Sequence, residues 1–98
     1  MAQLSWSLRA VMNLEDRCGY IAQTSEQNAR AFADGVRDAV SLLTRHPRLG
    51  ARVPEYDRED IREMLVQKHR VIYRLVADDV VIVSVVHGAQ RLPRTPPG

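Results

Sequence analysis

Several residue types that mark particular protein classes are scarce in this chain of 98 residues. Cys18 is the only cysteine, so the chain cannot form an internal disulfide. The longest apolar run, Val80 to Val86, is interrupted by Ser84 and falls far short of the ~20 residues that a membrane-spanning helix needs. The start also lacks the basic and then apolar order of a secretory signal. We therefore expect one soluble domain in the reducing cytoplasm, with no membrane partner.

The usual sequence signatures of cofactor and metal sites are missing as well. The five glycines stand singly, so there is no glycine-rich loop to bind a phosphate group. The three histidines, His46, His69 and His87, lie too far apart for the paired spacing of metal ligands. Cys18 falls on the apolar face of a predicted helix, where a thiol is typically a small core residue and not a nucleophile. We expect neither a cofactor nor a metal ion.

The basic side of the composition consists almost entirely of arginine. Lys68 is the only lysine among 14 basic residues, and with 12 acidic residues the formal net charge is +2. Because the planar guanidinium group suits phosphates and carboxylates, this imbalance indicates either a nucleic-acid or acidic-protein surface, or a coding bias toward arginine. A core of this size only just offsets the entropy lost on folding, which favours stabilisation by a partner chain.

The first half of the chain has the periodicity of two helices. After a short strand at Gln3 to Trp6, Ser7 is placed to cap a first helix that runs to about Gln23. Ser25 and Asn28 are candidate caps for a second helix, which Pro47 should end near Arg45. Its apolar stripe is Phe32, Val36, Val40 and Leu43. Because the break between the helices is short, they should form an antiparallel hairpin.

The second half changes to the period of two that is typical of strands. A short strand is predicted at Arg52-Val53, and three longer ones at Ile61 to Val66, Arg70 to Ala77 and Val80 to His87. The sequence thus predicts an α+β fold with an N-terminal strand, an antiparallel helix hairpin and a three- to four-stranded antiparallel meander. We expect a single domain over residues 1–93, followed by a flexible proline-rich tail over residues 94–98.

The turns of the meander decide which side chains share a face of the sheet. A two-residue turn at Asp78-Asp79 would pair Arg70 with His87. One face then holds Arg70, Ile72, Arg74, Val76, Val81, Val83, Val85 and His87, and the other holds Val71, Tyr73, Leu75, Ile82, Ser84 and Val86. Since the helix hairpin covers only one face, we expect an open surface with arginines on the other. The loop at residues 67–69 is compatible with either two or three turn residues.

Residues of the β half include the types that RNA cleavage requires. Attack by a 2′-hydroxyl needs a general base, a general acid and a positive charge at the phosphate. Glu55 is the candidate base and His87 the candidate acid. The candidate cations are Arg62, Arg70, Arg74 and Arg91. The sheet arginines are equally consistent with ion pairs to Glu59, Asp60 or Glu63. For His87, a structural histidine at a strand end is the more common explanation.

Two long segments of the chain resemble the RelE/ParE superfamily of bacterial type II toxins. They are HPRLGARVPEY at residues 46–56 and IREMLVQKHRVIYRLVADDVVIVSVVHGAQRLP at residues 61–93. Together with Trp6-Ser7 and the order of the predicted elements, the resemblance covers about nine-tenths of the chain. The HRVIYRL segment, the acidic turn and the HGAQ segment are most similar to the plasmid-stabilisation, ParE-like branch.

The resemblance implies the toxin of a toxin–antitoxin pair. Its partner would be a small ParD- or RelB-like antitoxin with an extended C-terminal segment, and the complex would bind operator DNA only through that antitoxin. ParE-like members inhibit DNA gyrase without hydrolysing a substrate, whereas RelE-like members cleave mRNA on the ribosome. The residues expected to contact the antitoxin or the target are Arg62, Arg70, Tyr73, Arg74 and Arg91.

The choice between these targets depends on individual positions. Arg70 matches the phosphate-binding arginine of RelE-like toxins, but Ile61 and Glu63 occupy the positions of their lysine pair. RelE-like toxins also have an arginine after the last strand. Gln90 occupies that position in this chain, and Arg91 is the next residue.

A second ribonuclease pattern, similar to YoeB, uses a glutamate, an arginine and a histidine, which Glu55, Arg70 and His87 would supply. We expect a gyrase-directed toxin. The alternatives are a ribosome-dependent mRNA endoribonuclease and a non-toxic regulatory binding domain.

Overall fold

Two serine caps set the boundaries of the helical half. In the computed structural model, which describes residues 1–97, helix α1 spans Leu8–Ala22 and helix α2 spans Glu26–Ser41. The hydroxyl of Ser7 accepts a hydrogen bond from the backbone N–H of Ala10, and the hydroxyl of Ser25 accepts one from Asn28, each at 3.1 Å. Each cap satisfies a helix N–H group that would otherwise lack a partner, which is typically worth about 1 kcal/mol.

The second helix ends as its sequence predicts. A turn of 3-10 helix at Leu42–Thr44 carries the chain from Ser41 to Arg45, before Pro47 rules out further helix. The predicted apolar stripe is buried over its whole length, from Phe32 to Leu43. Among the described residues, neither helix is long and apolar enough to cross a membrane.

The five strands form one mixed sheet. They are β1 (Leu4–Trp6), β2 (Ala51–Arg52), β3 (Ile61–Val66), β4 (His69–Val76) and β5 (Asp79–His87), and their order across the sheet is β1-β5-β4-β3-β2. β1 runs parallel to β5, and every other neighbouring pair is antiparallel. The predicted α+β fold is confirmed, with β2 extending the meander to four strands and β1 completing its opposite edge.

Both hairpin turns contain two residues. Gln67 and Lys68, with φ of 45° and 67°, join β3 to β4, which resolves the loop length that the sequence left open. The second turn is Ala77-Asp78, so the predicted Asp78-Asp79 turn was wrong. Asp79 belongs to β5 because its backbone pairs with Val76 and its carboxylate accepts the Gln3 N–H at 2.9 Å.

A β-bulge in β5 changes the faces that the sequence predicts. Tyr73 pairs with Ile82 but Ile72 pairs with Ser84, which leaves Val83 as an extra residue. Moving the turn by one residue shifts the pairing of β4 with β5 by two positions, so each side chain stays on its predicted face. The extra residue in β5 shifts the pairing by one position and puts the residues beyond it on the opposite face. Beyond the bulge, Arg70 therefore pairs with Val86, and the predicted pairing of Arg70 with His87 was wrong.

The sheet has an apolar core on each face. The larger core lies under the helices and is built on Phe32, Val71, Tyr73, Ile82 and Val85 together with other buried side chains. The smaller core on the second face consists of Val53, Ile61, Ile72, Val83 and Val86, each less than a tenth exposed. The bulge puts Val85 in the larger core and Val86 in the smaller one, each on the face opposite to the predicted one.

The second face is covered by the chain itself. Tyr56, from the connector between β2 and β3, and Leu92, from the segment after β5, pack against its apolar cluster. The Tyr56 hydroxyl donates a hydrogen bond to the Pro93 carbonyl at 2.7 Å, which ties the two segments together. The prediction of an open apolar surface on this face was therefore wrong. Pro97 is buried, the predicted flexibility of residues 94–98 stays a prediction, and Gly98 lies outside the described residues.

Candidate functional site

Arg70 lies at the centre of the candidate site on the second face. Its side chain is almost fully buried and donates to two carboxylates at once. Its two terminal nitrogens donate to the two oxygens of Glu55, each at 2.7 Å, and its Nε donates to Glu63 Oε1 at 2.6 Å. Bidentate, charge-assisted contacts of this kind are the strongest hydrogen bonds between side chains. Arg70 thus fastens the connector that carries Glu55 onto strands β3 and β4.

The electrostatics of this group follow from the hydrogen bonds. The Arg70 guanidinium lowers the pKa of Glu55 from 4.5 to about 2, and the two carboxylates raise the pKa of Arg70. Two carboxylates face one guanidinium, so the group carries a net negative charge. In this arrangement the positive charge of Arg70 is already matched by carboxylates of the same chain, and a phosphate can bind Arg70 only by competing with them.

The three residues of the predicted ribonuclease pattern line one open pocket, but they do not form one hydrogen-bonded group. The pocket has a volume of about 720 Å³, and its wall includes Glu55, Arg70 and His87. His87 pairs across the sheet with His69, and its ring lies edge-on to that ring with 5.4 Å between centroids. Its Nδ1 accepts the N–H of Ala89 at 3.2 Å. Neither contact involves Glu55 or Arg70.

His69 is held on the helix side of the sheet by partners on both ring nitrogens. Its Nε2 accepts from Arg17 Nε at 3.0 Å, and its Nδ1 lies 2.8 Å from the Gln67 carbonyl. An acceptor role at Nε2 together with a carbonyl at Nδ1 requires a neutral ring with its proton on Nδ1. Burial lowers the pKa of His69, which agrees with that neutral form. The ring also packs on Phe32, with 4.4 Å between centroids.

A second charged group surrounds Glu59 in the connector; we call Arg48, Arg52, Glu59 and Arg62 the Glu59 cluster. Arg48 Nε and an Arg62 terminal nitrogen donate to Glu59 Oε1 at 3.2 and 2.7 Å, and Arg52 donates to Oε2 at 2.9 Å. The hydrogen bonds from Arg62 and then Arg48 lower the pKa of Glu59. One carboxylate is therefore shared by three guanidinium groups.

Within the Glu59 cluster, Arg62 is fixed while Arg48 and Arg52 face solvent. Arg62 is only 12% exposed and also donates to the backbone carbonyls of Gly50 and Glu59, at 2.8 and 3.0 Å. Arg48 and Arg52 are more than half exposed. The inner arginine thus holds the connector in place, and the outer two present their remaining N–H groups to solvent.

The ion pairs that the sequence offered for the sheet arginines are confirmed. Arg62 pairs with Glu59 and Arg70 with Glu63, as described above. Arg74 pairs with Asp60 at 3.7 Å, while Arg58 holds the same carboxylate through two hydrogen bonds of 3.0 and 2.9 Å. The hydrogen bonds from Arg58 lower the pKa of Asp60.

The two remaining predicted contact residues lie apart from these groups. Tyr73 is fully buried, and its hydroxyl donates to the Pro47 carbonyl at 2.7 Å and accepts the Gly50 N–H at 2.9 Å. Burial raises its pKa. Arg91 is exposed beside a pocket of about 260 Å³ at the start of α1. Arg48 and Arg52 were missed, although their spacing of four residues in the HPRLGARVPEY segment was a visible signal.

Comparison with known proteins assigns the chain to a family. The family model described as ParE toxin of type II toxin–antitoxin system, parDE, matches residues 4–92. The chain belongs to the ParE toxin family. A solved structure described as the chromosomal ParDE toxin–antitoxin system from P. aeruginosa superposes on this ParE toxin with a TM-score of 0.71 at 17% sequence identity. That match covers 89% of this chain and 96% of the other, while no curated protein matches the chain in sequence. The predicted membership of the RelE/ParE superfamily and its ParE-like branch is confirmed.

Proposed function

We propose that this ParE toxin inhibits DNA gyrase and is neutralised by a small cognate antitoxin. Family membership supports a toxin of a type II toxin–antitoxin system, and the state of Arg70 supports a target other than RNA. An endoribonuclease needs an arginine that can bind the scissile phosphate, but here two carboxylates within 2.7 Å already offset the charge of that guanidinium. This internal pairing of Arg70 is the observation that carries the choice of target.

The position of His87 supports the same choice. A general acid must come within hydrogen-bond reach of the group that it protonates. His87 stands on the helix side of the sheet opposite His69, whereas Arg70 and Glu55 lie on the second face. The alternative of a ribosome-dependent endoribonuclease rests on one observation, the shared pocket that Glu55, Arg70 and His87 line.

The antitoxin is the proposed partner for the charged surface. Acidic residues of the antitoxin would pair with Arg62, Arg70 and Arg74. Operator DNA would be bound only by the antitoxin. All three arginines already pair with carboxylates of the toxin, so a partner must replace or bridge those carboxylates. An antitoxin complex with unchanged affinity after Arg70→Ala and Arg74→Ala together would contradict these pairings.

Induction of the toxin without an antitoxin tests the target. We expect DNA breaks that depend on gyrase, inhibition of supercoiling by purified gyrase, and intact ribosome-bound transcripts. The matched variants are Glu55→Ala, which removes the candidate base, and Glu26→Ala, which removes a carboxylate exposed on α2. Transcript cleavage that Glu55→Ala abolishes and Glu26→Ala preserves would replace the gyrase proposal with the ribonuclease one. A cell that shows neither DNA breaks nor cleaved transcripts would support the non-toxic regulatory alternative.

A further inference from the structure

The Glu59 cluster has more positive charge than its own carboxylates can match. Three guanidinium groups converge on the single Glu59 carboxylate at 2.7 to 3.2 Å. The nearest additional carboxylate, Asp57, approaches Arg52 at 3.7 Å. Counting both acids, the group retains an uncompensated positive charge on a surface where Arg48 and Arg52 are more than half exposed.

The geometry of the cluster is already that of a carboxylate site. Both oxygens of Glu59 are bonded, Oε1 by Arg48 and Arg62 and Oε2 by Arg52. Arg62 is oriented by backbone carbonyls and not by Glu59 alone, so its guanidinium stays in place when the Glu59 side chain leaves. Glu59 itself is half exposed and lies in a connector, where a change of rotamer costs little packing.

We infer that the Glu59 cluster is a docking site for an acidic peptide segment of a partner protein, whose carboxylate takes the place of the Glu59 side chain. Glu59 acts as an internal competitor that fills the site when the partner is absent. Arg52 lies on β2, one of the two edge strands of the sheet, which gives an extended peptide access along that edge. That access favours a peptide over a nucleic acid.

This inference rests on the proposed neutralisation by a partner protein, and it names the surface and the chemistry of that partner. It places the acidic contact on Arg48 and Arg52, which were not among the predicted contact residues. Its test does not involve gyrase. A failed docking experiment therefore leaves the gyrase result standing, and a failed gyrase experiment leaves the docking result standing.

The test measures the binding of short labelled probes by fluorescence anisotropy at low salt. The probes are a peptide of alternating Glu and Gly, the matching Gln and Gly peptide, and a single-stranded DNA of equal charge. We expect the Glu peptide to bind and the Gln peptide not to bind. Because each outer arginine supplies a charge-assisted contact, Arg48→Ala and Arg52→Ala should each weaken binding about fivefold.

The decisive variant is Glu59→Gln. If Glu59 competes with the ligand, removing its charge should strengthen binding of the Glu peptide about threefold, because the three guanidinium groups lose the carboxylate that they share. A merely structural Glu59 predicts weaker or unchanged binding instead. The amide oxygen of Gln can still accept the hydrogen bonds from Arg48 and Arg62, but its NH2 group cannot accept the one from Arg52. Thermal melts of every variant verify that it is folded.

Matched controls come from exposed pairs on α2. Arg37→Ala removes one arginine from the pair with Asp34, and Glu26→Gln neutralises one carboxylate of the pair with Arg30. Neither change should alter peptide binding. Equal losses for Arg37→Ala and the two outer-arginine variants would overturn the inference, as would unchanged or weaker binding by Glu59→Gln. Tighter binding of the DNA than of the Glu peptide would overturn the assignment of a peptide ligand.

Discussion

At the scale of single residues, the sequence predicts which residue types form the candidate site better than it predicts which of them pair with one another. The pairs Arg62–Glu59 and Arg70–Glu63 are three and seven residues apart, and both carboxylates are among the partners that the sequence offers for the sheet arginines. Glu55 joins Arg70 from an irregular connector, whose path depends on packing against the second face. No periodicity in the sequence encodes that path.

The ion pairs of Arg70 with Glu55 and Glu63, which we call the Arg70 clamp, predict how the free energy of unfolding depends on pH. The folded-state pKa of Glu55 is about 2, below its ordinary 4.5, so its stabilising contribution is present above 4.5 and is lost as the pH falls toward 2. We expect Glu55→Gln to be less stable than the wild type at neutral pH and to lose less stability across that acidic window. Urea unfolding followed by circular dichroism at a series of pH values measures both effects.

A carboxylate outside the clamp provides the control for this prediction. Glu26 is exposed on α2, where its contact with Arg30 is a long 3.9 Å. Glu26→Gln should follow the wild-type dependence on pH, because a weak surface pair contributes little to stability. If Glu55→Gln and Glu26→Gln show the same dependence below pH 4.5, the clamp does not stabilise the fold.

At the scale of elements, the helices and strands could be predicted because each has a local signal. The serine caps, the stripe from Phe32 to Leu43 and the β-branched strands all lie where the period indicated. The turn at Ala77-Asp78 and the bulge at Val83 could not be predicted, because neither contains the glycine or asparagine that usually marks such a site. The turn shifts the pairing of β4 with β5, and the bulge reverses the faces of the β5 residues beyond it, which is why the fold was predicted and the site geometry was not.

The Gln67-Lys68 turn predicts a stabilising substitution. Both residues have positive φ, as a type I′ turn requires, and Lys68 at 67° has a conformation that costs a residue with a Cβ atom. Lys68→Gly should raise the free energy of unfolding by about 1 kcal/mol, because relief of the left-handed strain exceeds the entropy that glycine adds to the unfolded chain.

Lys68→Ala separates the backbone effect from loss of the side chain. Alanine removes the same ammonium group but keeps the Cβ atom, so it should not be more stable than the wild type. Chemical denaturation of the three proteins compares their stability. Equal stability of Lys68→Gly and Lys68→Ala would show that the turn stores no relievable strain.

At the scale of the whole molecule, the sheet is sealed on both faces by one chain. The sequence predicts the cover of the first face, because the apolar stripe of α2 has a clear helical period. The cover of the second face comes from Val53, Tyr56 and Leu92, which lie in segments without regular structure. A partner therefore does not meet a bare sheet. The surfaces left to it include the charged edge at β2 and the pocket beside Arg70.

Sealing by the segment after β5 makes Leu92 a stability determinant of the whole fold. Leu92 packs on the cluster of Val53, Ile72 and Val86, so Leu92→Ala should lower the free energy of unfolding by about 1–2 kcal/mol, less than for a fully buried leucine. Leu65→Ala is the matched control, because Leu65 is 74% exposed and should change stability little. Denaturant unfolding compares the two variants. Equal and small effects would mean that the second face is open in solution, and the partner surface would then extend across it.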